Sequence, residues 1–346
     1  MMLNIKYIKL VPIFIALFCF QSSNAQITKK AQVGFRFLEN PVSAEVVGKG
    51  GVGIISTLNA NGIFWNPALI GEIQSDVDVT LNHTKFIADI NYNAAAAAVK
   101  VGNFGVIGVS LLAMDYGTFY RTYRSNNSQG YVDAGTFSPT AFAVGLAFSQ
   151  KVTDRFSYGV HLKYVKQDLG DAMVSTAGDS WDDPKLALQS RNYSSSKFSM
   201  PLAIDVGAIY DFKYNGIRFA ASMQNISKEF QYESEAFPMP FAVSFGATVE
   251  PLGFFDLQDN SSKLVLSIES RHPRDYGEKT KYGAEYTYLN AFTARVGYMS
   301  NYDERGWTMG AGVMQEFSGI PIRIDYAYQA FGIFGGVHHV SFGVSY

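Results

Sequence analysis

The sequence has few charged residues and almost no cysteine. Charged side chains make up 17% of its 346 residues, against roughly 25% in soluble domains. The single cysteine, Cys19, lies in an apolar segment near the N-terminus, so the rest of the chain can form neither a disulfide bond nor a thiolate metal site. The net charge of −2 argues against a nucleic-acid partner, which would attract a basic protein.

Long apolar runs are also missing. No stretch after residue 25 contains 18 consecutive apolar residues, so the sequence predicts no transmembrane helix. Aromatic residues are nevertheless abundant at 15%, there are 32 glycines, and the mean hydropathy is +0.01. Few charges, many aromatics and neutral hydropathy together indicate β-structure with alternating apolar and polar side chains.

The first 25 residues have the three parts of a secretory signal peptide. Lys6 and Lys9 form a basic segment, an apolar segment follows at 10–20, and small residues end at Ala25. The apolar segment is too short to span a bilayer. We therefore predict a signal peptide at 1–25 and export of the remaining chain.

Segments of about ten residues with alternating apolar and polar side chains recur after the signal peptide. The segment at 320–328 is the clearest, and similar ones lie at 156–164, 202–210, 241–249 and 292–298. One face of the first segment carries Ile320, Ile322, Ile324, Tyr326 and Tyr328. Such segments separated by turns are typical of outer-membrane β-barrels.

A soluble β-sandwich is the alternative, since its strands also alternate. Two features favour the membrane barrel. The segments are longer than the roughly five or six residues usual in soluble strands. Aromatic residues also end the apolar faces, as Tyr164, Tyr210 and Tyr298 do, which suits the interfacial girdles of a membrane barrel.

Fourteen such segments can be placed between residues 76 and 346, an even number as in single-chain bacterial barrels. Short turns, such as Asn215-Gly216, separate alternate pairs, whereas longer polar loops at 116–138 and 168–198 separate the others. The sequence therefore predicts an all-β fold, a 14-stranded antiparallel transmembrane β-barrel at 76–346. We place it in the outer membrane of a Gram-negative bacterium, in contact with outer-membrane lipid.

Residues 26–75 do not alternate and are rich in glycine. They contain large apolar residues that must be buried, among them Ile54, Ile63, Trp65 and Leu69. The lumen is the nearest enclosed space, so we predict that 26–75 form a small plug, or hatch, inside the barrel.

If the apolar face of each strand contacts lipid, the charged residues on the opposite face point into the lumen. These predicted lumen-facing charges are Asp205, Arg218, Glu269, Glu285, Arg295, Arg323 and Asp325. Because both signs occur, we expect ion pairs and contacts with the hatch, not an ion filter of one sign.

Common catalytic and metal-binding motifs are missing from the sequence. It has no His-Glu-x-x-His and no Gly-x-Ser-x-Gly. The glycine pattern at 48–53 lacks the flanking strand and helix of a dinucleotide site. The predicted loop at 168–198 contains Asp179, Asp182 and Asp183. A solvated acidic loop is a simpler interpretation of these residues than a cation site. We therefore expect no enzymatic activity and no cofactor.

Both ends of the chain resemble the PorV/PorQ family. Residues 43–71 combine a glycine-rich stretch with the motif Trp65-Asn66-Pro67-Ala68, and 324–342 look like the family's closing strands. A hatch followed by 14 strands is also similar to FadL-type barrels, which share the Asn-Pro-Ala motif. Lys49 and Leu69 depart from the family pattern.

This resemblance implies two alternative functions. PorV and PorQ proteins belong to the type IX secretion system, so the main expectation is a role in protein secretion to the cell surface. Secretion-system subunits and secreted cargo would then be the partners. The alternative is a FadL-like transporter of long-chain fatty acids or other hydrophobic small molecules.

The last strand ends on an aromatic residue. Val340, Phe342, Val344 and Tyr346 share its apolar face. This pattern resembles the signal read by the outer-membrane assembly machinery, which we therefore expect as a partner.

Overall fold

A computed structural model describes most of the chain after the predicted signal peptide. The described ranges are 32–124, 127–175, 188–194, 202–231, 235–255 and 261–346. The predicted signal peptide at 1–25 and the acidic residues Asp179, Asp182 and Asp183 lie outside them. Within these ranges, no helix is both long and apolar enough to cross a membrane.

Fourteen antiparallel strands form one closed sheet, as predicted. In chain order they are β1 Val77–Lys85, β2 Asn91–Val101, β3 Gly105–Asp115, β4 Thr140–Lys151, β5 Phe156–Ser175, β6 Leu202–Asp211, β7 Arg218–Ile226, β8 Ala242–Val249, β9 Ser262–Pro273, β10 Lys279–Tyr288, β11 Phe292–Ser300, β12 Arg305–Phe317, β13 Ile320–Phe331 and β14 Gly336–Ser345. Each strand pairs with the next, and Val344 of β14 lies opposite Val79 of β1, which closes the barrel.

Alternation along each strand separates a lipid-facing surface from a lumen surface. In β1, Val79 and Leu81 are exposed on the outside, whereas Asp78, Thr80 and Asn82 are buried on the inside. Successive side chains of a strand point to opposite faces of the sheet. The polar face of every strand therefore needs partners inside the barrel.

The two ends of the barrel differ in the length of their connections. One end has tight turns, such as Leu289-Asn290, in which both residues have positive φ angles of 53° and 52°. These angles suit the right-handed twist of a two-residue hairpin. We assign this end to the periplasm, because outer-membrane barrels keep their short turns there. A longer connection on the same side contains the 3₁₀-helix Pro251–Phe255.

Extra β-structure extends the wall at the opposite, extracellular end. Strands Phe119–Arg124 and Tyr131–Phe137 form a hairpin, and β5 continues to Ser175, where it pairs with Leu188–Ser194. The predicted loop at 168–198 is therefore partly strand. A hairpin pairs backbone groups that a loop of this length would leave to water.

The chain before β1 lies inside the barrel. We call residues 33–73 the hatch, and it contains the α-helix α1 Ala44–Gly48 and the 3₁₀-helices Arg36–Glu39, Ala60–Phe64 and Pro67–Glu72. Most of its apolar side chains are fully buried against the wall or each other. The boundary at residue 75 stays a prediction.

A charge on the lipid-facing surface should destabilise the barrel according to its depth. Replacing Leu81, which is 52% exposed in the middle of β1, by arginine should cost about 2–4 kcal/mol of unfolding free energy. The matched variant Phe317→Arg, at the end of β12, should cost about 0–1 kcal/mol. Urea unfolding from lipid vesicles measures both, and equal losses would contradict the assigned membrane position.

Candidate functional site

The Trp65-Asn66-Pro67-Ala68 motif fastens the hatch to the wall. Asn66 is fully buried, and its Nδ2 donates to the carbonyl of Ile54 at 2.9 Å. Its Oδ1 accepts from the backbone N–H of Ala68 at 3.0 Å, capping the 3₁₀-helix that Pro67 begins. Proline suits this first position because its missing N–H would be unpaired there in any case.

Two glycines of the wall make room for the motif. A Cβ atom on Gly207 of β6 would overlap with Oδ1 of Asn66, and one on Gly159 of β5 would overlap with the backbone of Pro67. The hatch backbone therefore approaches the wall more closely than any side chain would allow.

The Trp65 ring packs in the middle of the lumen. Its face lies 5.6 Å from Nζ of Lys281 on β10, and its carbonyl accepts from Ser222 on β7 at 3.0 Å. Among the described residues, its buried indole N–H has no hydrogen-bond partner.

All seven charges predicted for the lumen face inward. Glu269 is fully buried and binds Nζ of Lys281 at 2.7 Å, while its second oxygen accepts from the backbone N–H of Gly53 at 3.0 Å. Arg218 donates to the carbonyl of Ile55 at 3.4 Å. Wall charges thus hold the hatch backbone directly.

A second network surrounds α1. Arg295 donates to Glu285 at 2.7 Å and to Asp325 at 2.6 Å, and Lys49 of the hatch lies 3.5 Å from Glu285 and 3.0 Å from Glu45. Burial alone raises the pKa of Glu45. The cations of Lys49 and Arg295 outweigh burial and hold that pKa well below its ordinary value. Glu45 therefore remains ionised at neutral pH, and its stabilising contribution is lost progressively as the pH falls from the ordinary carboxyl pKa of 4.5 to about 2.

The remaining charges form two further groups. Arg323 of β13 binds Asp78 of β1 at 2.7 Å across the seam that closes the barrel. Asp205 of β6 binds Lys163 at 2.8 Å and His161 at 3.2 Å, both on β5.

Ser110 of β3 completes the network of Asp205, with its Oγ 2.9 Å from Nε2 of His161. The sequence motifs did not predict Ser110, Lys163 or His161 as site residues. One signal was present, because Ser110 is a polar residue on the face of β3 that otherwise carries Val106, Leu112 and Met114. Within the described ranges, no three side chains of a kind that binds metals are placed to hold one ion.

A cavity of about 410 Å³ lies between the hatch and the extracellular half of the wall. Part of its surface is apolar, formed by Phe64, Leu112, Met114 and Ala143. Its cationic side chains are Arg36, Lys163, Arg271, Lys279, Lys281 and Arg305, and its carboxylates are Glu39, Asp205, Asp303 and Glu304.

Two of the cavity's cations form no ion pair with a carboxylate of the described residues. Nζ of Lys279 lies 4.5 Å above the ring of Tyr276 and 4.6 Å above that of Tyr302. Arg305 donates to Oδ1 of Asn40 at 2.8 Å and packs over Phe331. Aromatic faces and an amide therefore hold these positive charges in place, and no carboxylate of the described residues forms a direct ion pair with them.

Described residues of the connection between β7 and β8 pack against the start of the hatch. Phe35, at the start of the hatch, packs against Phe230 and Phe237 with ring centroids 5.3 Å and 6.1 Å apart, and Met239 is fully buried beside them. The start of the hatch is therefore held against residues of this connection.

The four residues of the C-terminal pattern lie in or directly after β14, the strand that pairs with β1 to close the barrel. Val340 and Phe342 are exposed on the lipid-facing surface of β14, and Tyr346 lies beyond it. Their proposed role in assembly stays a prediction.

A family model described as F plasmid transfer operon, TraF, protein matches residues 21–313. No curated protein matches the chain. Three solved structures share its fold. The toluene transporter TbuX of Ralstonia pickettii is 13% identical, with a TM-score of 0.57, and the match covers 89% of this chain and 98% of TbuX.

The toluene transporter TodX of Pseudomonas putida is 11% identical, with a TM-score of 0.53, and 88% and 96% of the two chains are covered. A FadL homologue of Pseudomonas aeruginosa is 12% identical, with a TM-score of 0.50 and coverage of 88% and 98%. These likenesses show a FadL-like barrel, the fold of Gram-negative outer-membrane proteins, as predicted. They do not show the PorV/PorQ identity or a link to type IX secretion.

Loss of the Asn66 side chain should loosen the hatch. Asn66→Ala leaves the Ile54 carbonyl and the Ala68 N–H without their partner, at a cost of about 1–3 kcal/mol. Hydrogen exchange of the hatch amides should then be about 5- to 150-fold faster. The control Asn103→Ala changes an exposed turn residue and should leave exchange unchanged, so equal exchange in the two variants would contradict the anchoring role.

The hatch should also block ion flow. In planar bilayers, the intact protein should give no large steady currents, whereas a variant lacking 26–75 that still shows a β-sheet circular dichroism spectrum should conduct. Large currents from the intact protein would exclude a closed lumen.

Proposed function

The chain belongs to the family described as F plasmid transfer operon, TraF, protein, and on that premise we propose that it transports hydrophobic small molecules with an anionic group across the outer membrane. The FadL-like barrel supports transport of small molecules better than it supports secretion of proteins.

The cavity above the hatch is the observation that carries this proposal. A buried charge without an opposite partner costs free energy, because it has lost its water. Lys279 and Arg305 are half-buried and form no direct ion pair with a described carboxylate, and they share the cavity with Phe64, Leu112 and Met114. A ligand with an anionic head and an apolar body would pair its head with these two cations and pack its body against the apolar side chains.

The toluene transporters TbuX and TodX provide a contrast. Their printed names refer to a neutral hydrocarbon, for which unpaired cations would be of no use. Lys279 and Arg305, the two cations of this cavity that form no direct ion pair with a described carboxylate, therefore favour an amphiphile as its ligand.

A role in type IX secretion is the second candidate. It rests on the PorV/PorQ resemblance and on the hairpin at the extracellular end, where Tyr120 is 81% exposed and Phe119 and Tyr131 are also exposed. An exposed aromatic surface suits contact with another protein. Co-purification from native membranes distinguishes the two functions, because secretion subunits or cargo would accompany the protein only in the second case.

Ligand charge should control binding. The fluorescent acid 11-(dansylamino)undecanoic acid should bind the detergent-solubilised protein about tenfold or more tightly than its methyl ester, since a hydrogen bond to a charged group contributes about 1.5–3 kcal/mol. Fluorescence titration measures both constants.

Lys279→Met should remove most of this preference, because it deletes an ammonium that only aromatic rings contact. The control Arg155→Met removes an exposed cation in a periplasmic turn and should bind like the unchanged protein. Equal affinity for acid and ester, or an unaffected Lys279 variant, would overturn the anionic part of the proposal.

A further inference from the structure

Three strands of the wall bring a serine, a histidine and an aspartate into one hydrogen-bonded line. Oγ of Ser110 on β3 lies 2.9 Å from Nε2 of His161 on β5, and Nδ1 of His161 lies 3.2 Å from Oδ2 of Asp205 on β6. This order of groups and these distances are those of a nucleophile, its general base and the acid that orients the base.

A glycine between the strands makes the line possible. Ser110 lies opposite Gly145 of β4, and His161 lies opposite Asp205. A Cβ on Gly145 would overlap with Nε2 of His161 and lie 2.7 Å from Oγ of Ser110. Because Gly145 has no side chain, the imidazole can cross β4 and reach the hydroxyl two strands away.

The aspartate is itself held in place. Its Oδ1 accepts from the backbone N–H of Asn225 at 2.7 Å and lies 2.8 Å from Nζ of Lys163. Asn225 has a φ angle of 60° where the pairing of β7 with β6 shifts register. This irregularity directs the N–H of Asn225 to the carboxylate. Asp205 is therefore ionised and leaves Oδ2 for His161.

The line faces the cavity. Ser110, His161 and Asp205 contribute to its surface beside the apolar side chains of Leu112 and Met114. Ser110 is 6% exposed, and its position in the cavity wall makes the hydroxyl accessible from inside the barrel. The volume of about 410 Å³ lies within the usual range of roughly 300–1,000 Å³ for small-ligand sites.

We propose that Ser110, His161 and Asp205 hydrolyse carboxylic esters with an aliphatic acyl group that enters this cavity. Ser110 is the nucleophile and His161 the general base, while Asp205 is a positioning residue that keeps the proton of His161 on Nδ1. The activity goes beyond transport and replaces the expectation of no enzymatic activity.

The reaction needs only water as a second reactant. Oγ of Ser110 attacks the carbonyl carbon as its proton passes to Nε2 of His161. The C–O bond to the alcohol breaks, and the alcohol leaves with that proton. Water, deprotonated by His161, then attacks the acyl-serine, which releases the carboxylic acid and restores Ser110.

Covalent labelling tests the nucleophile directly. The full-length protein in detergent is treated with a fluorophosphonate probe, and the modified peptide is identified by mass spectrometry. We expect the label on Ser110 and hydrolysis of p-nitrophenyl butyrate, with Ser110→Ala lowering the initial rate by about 100-fold or more. Ser149→Ala is the matched control, because Ser149 is a buried serine of the same wall that donates to backbone carbonyls and contacts no histidine.

Gly145→Ala tests whether the reactivity of Ser110 depends on its alignment with His161. Its new Cβ displaces His161, so labelling should fall although all three residues remain. Gly277→Ala, where a Cβ meets no atom within 4 Å, should label normally. Circular dichroism and gel mobility without heating show that each variant is folded.

Asp205→Asn tests the positioning role through a pH profile. An amide that donates to Nδ1 moves the imidazole proton to Nε2, so His161 cannot accept from Ser110 near neutral pH. Labelling should be slow at pH 7 and recover in alkali, whereas a merely structural effect would lower it equally at all pH values.

The result that overturns the proposal is a folded protein in which Ser110 takes no label, or in which Ser110→Ala hydrolyses the ester as fast as Ser149→Ala. Binding of the dansyl acid is measured on the unchanged protein, where it involves no acyl transfer. Failure of hydrolysis and failure of ligand binding are therefore separate outcomes.

Discussion

The barrel depends on the pairing of inward-facing charges with a hatch that fills its lumen. Strands that turn apolar side chains to lipid must turn their polar side chains inward, and a buried charge is tolerated only with an opposite charge and hydrogen bonds. Glu269 shows the solution, since it binds both Lys281 of the wall and the backbone of Gly53. The hatch supplies the partners that the lumen lacks.

The same principle identifies where a ligand can act. Around α1, acids and bases neutralise each other, so that region holds the fold together. Above the hatch, Lys279 and Arg305 contact aromatic rings and an amide and form no direct ion pair with a described carboxylate. Charge without a direct ion pair beside an apolar surface distinguishes a binding cavity from a packed interior.

Transport and ester hydrolysis fit together chemically at this cavity. An ester carries no charge and can enter through its apolar body, whereas its hydrolysis releases a carboxylate. The cationic side chains of the cavity would hold this product better than the substrate. A wall that contains Ser110 beside those cations could therefore convert a neutral molecule into the anionic amphiphile that we propose as the transported ligand.

The alternation of side chains by itself determined the 14 strands, the lipid-facing surface and the inward direction of residues such as Arg295 and Asp325. Alternation is local, so each strand could be recognised from its own ten residues. The partners of these residues depended on strand register, which joins positions far apart in the chain. Only the tertiary structure could place Ser110, His161 and Asp205 in line across Gly145, because none of them lies within a shared sequence motif. The Asn66-Pro67-Ala68 motif suits both the FadL-like and the PorV/PorQ interpretations, so the likeness to FadL-type barrels had to come from the whole fold.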